Sequence, residues 1–157
     1  MRITIITRVT VVLGLLASCG CATPTVIRPG AVWPDDRGKH VQAHGGGILK
    51  VRGTYYWFGE DRSQDNDPHF RYVACYSSTD LAHWRFRRQV VKLADPEELG
   101  RGWVLERPKV FYNAKTKKYV MYAHIDGKGQ YRFASVAVFT CNTPDGDYEK
   151  MSSAVQE

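Results

Sequence analysis

The chain has 157 residues, 43% apolar and 12% aromatic with four tryptophans, so it can bury one real core, and disordered or low-complexity readings are excluded. Its formal charge is +6; setting aside residues 1–18, which carry Arg2 and Arg8, leaves 20 basic against 16 acidic residues, a net +4. The only basic clusters, Arg85-Phe86-Arg87-Arg88 and Lys115-Thr116-Lys117-Lys118, are short and read as solvated turns or strand faces, so no nucleic-acid partner is expected.

Residues 1–21 combine Arg2 and Arg8, an apolar stretch from Val9 to Ala17 and small residues before a cysteine, the layout of a secretory signal. That stretch is too short to span a bilayer. Leu16-Ala17-Ser18-Cys19 resembles a bacterial lipobox, which makes Cys19 the expected lipidation site and a lipid anchor the only expected membrane contact. An ordinary cleaved signal that discards Cys19 and Cys21 is the competing reading, and both readings place the domain outside the cytoplasm. Residues 22–39, with Thr23-Pro24-Thr25, read as a tether and lead-in segment before a folded region over 40–157.

From residue 40 onward Val, Ile, Tyr, Phe and Trp come in runs of five to eight between Gly, Asn, Asp and Lys turns, without sustained helical periodicity. The class is therefore all-β. Strands are predicted over Gly47 to Val51, Tyr55 to Glu60, Tyr72 to Ser78 and Arg85 to Lys92, then Lys109 to Tyr112, Lys118 to His124, Ala134 to Cys141 and near Tyr148. Only Pro96 to Leu99 reads as a helical turn.

The second four strands echo the first. Gly53-Thr54-Tyr55-Tyr56-Trp57-Phe58 corresponds to Lys117-Lys118-Tyr119-Val120-Met121-Tyr122 at an offset of 64, and Ser78-Thr79-Asp80 before Trp84 corresponds to Asn142-Thr143-Pro144-Asp145 before Tyr148 at 64 to 65. A four-stranded unit repeated at a fixed period is the sequence form of a β-propeller blade. A single β-sandwich with similar Tyr-rich hairpins is the alternative. Two blades cannot close a ring, so the chain reads as a fragment, or as part of an assembly, rather than a finished domain.

Outside the leader only Cys75 and Cys141 remain, with no zinc-like spacing, so no metal and no cofactor is expected. A disulfide between them and two buried thiols fit the sequence equally.

The candidate chemistry lies at strand ends. Ala43-His44-Gly45-Gly46-Gly47 lets backbone approach a ligand closely and carries His44; it is no phosphate loop, since no helix follows it. Glu60 closes the aromatic strand Tyr55 to Glu60, where a sugar ring can stack and hydrogen-bond at once. Glu106 sits between apolar residues and Arg107 in Trp103-Val104-Leu105-Glu106-Arg107-Pro108. Neighbours on a strand face opposite ways, so a local Glu106–Arg107 pair is not the natural geometry. Glycoside hydrolysis uses two carboxylates flanking the bond, and Glu60 and Glu106 supply two acids at different places in their repeats.

With these residues assembled, the chain resembles glycoside hydrolase family 43, and most closely the exo-β-1,3-galactanase-like branch of that five-bladed family. The matching segments are AHGGGILKVRGTYYWFGE from Ala43 to Glu60, CYSSTDLAHW from Cys75 to Trp84, and ERPKVFYNAKTKKYVMYAHID from Glu106 to Asp126. The resemblance runs from Trp33 to Tyr148 and covers the first two blades. It implies that Glu60, Glu106 and Tyr131 contact a galactose-like ring of a poly- or oligosaccharide, and that His44 lines the same pocket. Glu106 would orient the sugar and tune the acid opposite, while the proton donor and the water-positioning residue lie in later blades. Many relatives carry an Ala-Asp-Pro base motif where this chain has Ala43-His44-Gly45, a departure shared by the galactanase-like branch. Met151 to Glu157 then falls where a third blade is expected to begin. The function expected of the full-length protein is inverting hydrolysis of β-linked galactose; a surface sugar-binding lipoprotein and a non-functional remnant are the competing readings.

Overall fold

A computed structural model describes residues 27–94, 98–127, 131–132 and 134–155. The leader with Cys19 and the first half of the helical turn expected over Pro96 to Leu99 lie outside the described residues. Among the described residues, eight strands form two sheets. The first has the order β1 (His44–Val51), β2 (Thr54–Glu60), β3 (Arg71–Ser78), β4 (Arg85–Leu93); the second has β5 (Val104–Asn113), β6 (Lys118–Asp126), β7 (Ser135–Cys141), β8 (Glu149–Val155). All neighbouring strands run antiparallel, as hairpin connections require.

Local chemistry explains the connections. Arg52 and Gly53 join β1 to β2 with both φ angles positive, the two-residue turn whose twist matches antiparallel strands. At the equivalent place Asn113 accepts through Oδ1 from the backbone N–H groups of Lys115 (3.0 Å) and Thr116 (3.2 Å), and Lys117 takes the positive φ. Boundaries differ from expectation at three places, the first being β1, which begins at His44 rather than Gly47 because its pairing resumes beyond a bulge at Glu60. β5 begins at Val104 rather than Lys109, because a bulge absorbs Pro108, which has no N–H to give to the ladder. Met151 to Val155 belong to β8 rather than to a new unit.

The core lies between the sheets, where β5 crosses β1, β2 and β3. Phe58, Val73, Cys75 and Val90 from the first sheet meet Leu105, Met121, Ala123, Ile125, Ala137 and Phe139 from the second. Burying each large side chain contributes about 1.5–3 kcal/mol. Tyr148 closes the layer by donating its N–H to Val90 O at 2.7 Å and its hydroxyl to Pro144 O at 3.1 Å. Arg87 and Arg88 tie β4 to the second sheet through Asp145 (2.8 Å) and Asp147 (3.3 Å), so that basic cluster forms ion pairs between the sheets.

The other face of the first sheet is also covered. Trp57 and Trp84 pack with Trp33 at ring separations of 5.0 to 6.4 Å, and Trp33 belongs to the lead-in segment. That segment is fastened by Trp33 Nε1 to Ala82 O (2.9 Å), Asp36 N to Trp84 O (2.9 Å) and Val41 N to Trp33 O (2.8 Å). With layers on both sides, β3 alternates Val73 and Cys75 into one core and Ala74 and Tyr76 into the other, and five consecutive residues from Tyr72 to Tyr76 are buried. Cys75 and Cys141 are free thiols, and burial pushes the Cys75 thiol far up.

Candidate functional site

Both inner strands carry the same irregularity at the same place. His44 stands opposite Glu60 and Gly47 opposite Phe58, leaving one extra residue on β1; Glu106 stands opposite His124 and Lys109 opposite Tyr122, leaving one extra on β5. Such bulges bend a strand and re-aim its side chains. The residue after each functional position is left-handed, Gly45 at φ +60° and Arg107 at φ +52°.

The three glycines of the first bulge answer to close packing. A Cβ on Gly46 would lie 2.2 Å from Phe58 O, and one on Gly47 would lie 2.9 Å from Lys109 Cδ. Lys109 spans the two bulges, donating through Nζ to Gly45 O and Gly46 O at 2.9 Å each. Burial, with the Arg107 charge nearby, lowers its pKa. The bulges are thereby locked to one another.

Their functional residues converge. Glu60 Oε2 lies 3.2 Å from His44 Nδ1 and accepts from Arg62 Nε at 2.8 Å. The same guanidinium donates through Nη2 to Glu106 Oε1 at 3.1 Å, joining the two sheets. Tyr131 donates its hydroxyl to Glu106 Oε1 at 2.8 Å and stacks on His124 with ring centroids 5.8 Å apart. His124 faces Glu106 Oε2 at 3.8 Å on one side and Asp126 Oδ2 at 3.6 Å on the other. Glu106 is only 5% exposed, whereas His44, Arg62 and Tyr131 reach toward solvent.

Tyr131 is held by its loop. Asp126, fully buried, accepts from the backbone N–H groups of Gly127 (2.8 Å), Arg132 (3.0 Å) and Ala134 (3.1 Å), which fixes the backbone next to Tyr131. The hydrogen bond to Glu106 raises the Tyr131 phenol pKa above its ordinary value, with desolvation and the Glu106 and Glu60 charges adding and the Arg62 charge opposing. The phenol is thus held as a donor.

His44, Glu60, Glu106 and Tyr131, singled out in the sequence, therefore form one cluster drawn from β1, β2, β5 and the β6–β7 connection. Glu106 pairs with Arg62 and not with Arg107. Sequence reasoning missed Arg62 and His124. The repeat itself contained the signal for His124, since the offset of 64 that aligns β2 with β6 carries Glu60 onto it; Arg62 follows in a loop without any such signal. Among the described residues, no group of three or more His, Cys, Asp and Glu could hold a metal ion. Two glutamate side chains flanked by hydroxyl and imidazole groups suit the hydroxyls of a neutral sugar. A separate cavity of about 740 Å³ lies at the opposite end of the first sheet, between the lead-in segment and residues including Tyr56, Ser78, Trp84 and Arg87.

Two four-stranded antiparallel sheets packed face to face, with polar residues gathered at one end of their inner strands, define adjacent blades of a β-propeller. No family model matches the sequence, and no curated protein matches it. Solved structures do match. An exo-β-1,3-galactanase from Phanerochaete chrysosporium in complex with galactose is 42% identical with a TM-score of 0.74, over 80% of this chain and 29% of that one. An exo-β-1,3-galactanase from Clostridium thermocellum is 39% identical with a TM-score of 0.73, over 83% and 28%. A family 43 β-1,3-galactosidase with galactodeoxynojirimycin is 42% identical with a TM-score of 0.70, over 79% and 37%. The chain belongs to glycoside hydrolase family 43, in the exo-β-1,3-galactanase and β-1,3-galactosidase branch, and supplies two blades of that five-bladed fold. It spans about a third of the length of these neighbours.

Proposed function

We propose that this chain forms the first two blades of an exported, inverting glycoside hydrolase that releases galactose from β-1,3-linked galactan. One observation carries the reading: His44 with Glu60 from one sheet and Tyr131 with Glu106 from the other form two hydrogen-bonded pairs, which Arg62 joins at the ends of two matched bulges. In this reading Glu60, Glu106 and Tyr131 hold the terminal galactose ring and His44 borders it. Nearly buried Glu106 orients the ring and sets the field felt by a proton donor across the bond. That donor and the residue that places the attacking water come from later blades, with the carboxyl spacing of about 6.5–9.5 Å that inversion uses. Cys19 anchors the protein to a bacterial membrane through acyl chains, which mass spectrometry of the mature N-terminus would reveal; an unmodified terminus beyond Cys21 would reject the anchor.

A chimaera tests the catalytic reading. Residues 33–155 are placed before the remaining blades of the fungal galactanase. The chimaera should release galactose from β-1,3-galactan, and Glu106→Gln should lower kcat by several orders of magnitude with a smaller change in KM, because orienting and field effects act mostly in the transition state. Full activity of Glu106→Gln would remove Glu106 from the site. A chimaera that binds galactose without cleaving galactan would favour sugar binding alone.

A further inference from the structure

Arg62 has a place in this cluster that neither the repeat nor the strand pattern anticipates. Its backbone is fixed: Arg62 N donates to Gln42 Oε1 at 3.2 Å, and the flanking Asp61 is held by Tyr72 O on its N–H, by Ser63 Oγ at 2.6 Å and by Gln89 Nε2 at 2.9 Å. From that anchored loop a half-exposed side chain crosses from the first sheet to the second. Nε serves Glu60 and Nη2 serves Glu106, so one planar fork touches both carboxylates.

Without a cation between them, two facing carboxylates repel and splay apart. With the fork in place each carboxylate has one oxygen committed to protein: Glu60 Oε2 to Arg62 and His44, and Glu106 Oε1 to Arg62 and Tyr131. Glu60 Oε1 and Glu106 Oε2 are then set at a fixed separation. A lysine could not do this, since an ammonium is a point charge without a rigid fork.

We propose that Arg62 is a positioning residue that spaces Glu60 and Glu106 so that their remaining oxygens, Glu60 Oε1 and the Glu106 Oε2 that faces His124, receive two hydroxyls of one neutral galactose ring. The inference rests on the reading of the cluster as a galactose site. Arg62 acts through the carboxylates and not on the reacting bond.

The test uses the chain itself, with galactose titrated by NMR and with tyrosines labelled at Cζ to follow Tyr131, whose resonance is assigned by Tyr131→Phe. Arg62→Ala should weaken galactose binding on the order of tenfold or more, as loss of charge-assisted hydrogen bonds does. Arg62→Lys should fail to restore it, while added methylguanidinium should restore binding to Arg62→Ala and methylammonium should not. Arg62→Ala should also lower the unfolding temperature, because it leaves nearly buried Glu106 without its cation, so the titrations are run well below that temperature. The charged and titratable groups facing the Tyr131 phenol are Glu106, Glu60, Arg62 and the stacked His124. Losing the Arg62 cation should therefore move the Tyr131 titration to higher pH. If the unaltered chain binds no galactose, the sugar reading falls and the Tyr131 shift alone decides whether Arg62 bridges the carboxylates. If the unaltered chain binds and Arg62→Ala binds equally well, or if the Tyr131 titration does not move, the positioning role is overturned.

Discussion

The two sheets repeat each other strand for strand, yet their equivalent faces meet different surroundings. On β2, Tyr55 and Trp57 pack against the lead-in segment; their counterparts 64 residues on, Tyr119 and Met121, pack against the first sheet. Trp84 and Tyr148 are equivalent in the same way. On the opposite face, Phe58 is completely buried beneath the second sheet, whereas its counterpart Tyr122 is 45% exposed beside Phe111 at 57%. The second sheet thus presents outward the face on which the first sheet carries a neighbour. A repeat that covers one face and bares the equivalent one is built to carry another blade there.

The inner edges differ in a second way. The first sheet places histidine on the inner strand and glutamate on the next, His44 opposite Glu60; the second reverses them, Glu106 opposite His124. Like charges therefore do not line up along the inner strands, and the carboxylates that do approach share one guanidinium.

Substitutions at equivalent positions can break this comparison. The largest stability loss is expected for Trp84→Ala, about 3–5 kcal/mol, because it empties the aromatic layer that covers the first sheet. Denaturant unfolding would measure it, and a loss under about 1 kcal/mol would show that the lead-in segment covers little. Gly59→Ala comes next. Its Cβ would lie 2.2 Å from the Ala43 backbone, so a loss of about 3 kcal/mol is expected, although the second sheet has Ala123 at the equivalent position. Tolerance of Gly59→Ala would mean that β1 does not cross β2 as closely as described.

The bulge residues give a smaller, opposite-signed pair. Arg107→Gly should stabilise by about 1 kcal/mol by relieving a left-handed non-glycine residue, while Gly45→Ala should destabilise by about as much. Equal signs would show that the bulges are not conformationally alike. Least of all should Phe111→Lys change stability, within about 0.5 kcal/mol, because its ring stands largely exposed on the bare face. A loss above about 1 kcal/mol in denaturant unfolding would mean that this face is covered within the chain itself.

Much of this was legible in the sequence because it depends on alternation and repetition. All eight strands and the two-blade organisation follow from apolar runs and the 64-residue echo. His44, Glu60 and Glu106 stand out by position, and Tyr131 only through the family resemblance. The bulges were not legible: they depend on how Gly46, Gly47, Pro108 and Lys109 pack across two sheets, and this is why β5 was expected to begin at Lys109. Arg62 was hidden for a related reason, since its reach across both sheets exists only after its loop is fastened to Gln42 and Gln89. The state of Cys75 and Cys141 needed the structure, as short strands around each suit a thiol or a bridge equally.

Backbone and side-chain NMR of the chain titrated with galactose tests whether the two matched bulges build a galactose site. Weak, saturable shifts concentrated at His44, Glu60, Arg62, Glu106 and Tyr131 are expected, and their loss in Glu106→Gln. Shifts confined to the Trp33 and Trp84 cavity at the opposite end of the first sheet, or none at any galactose concentration, would contradict that site.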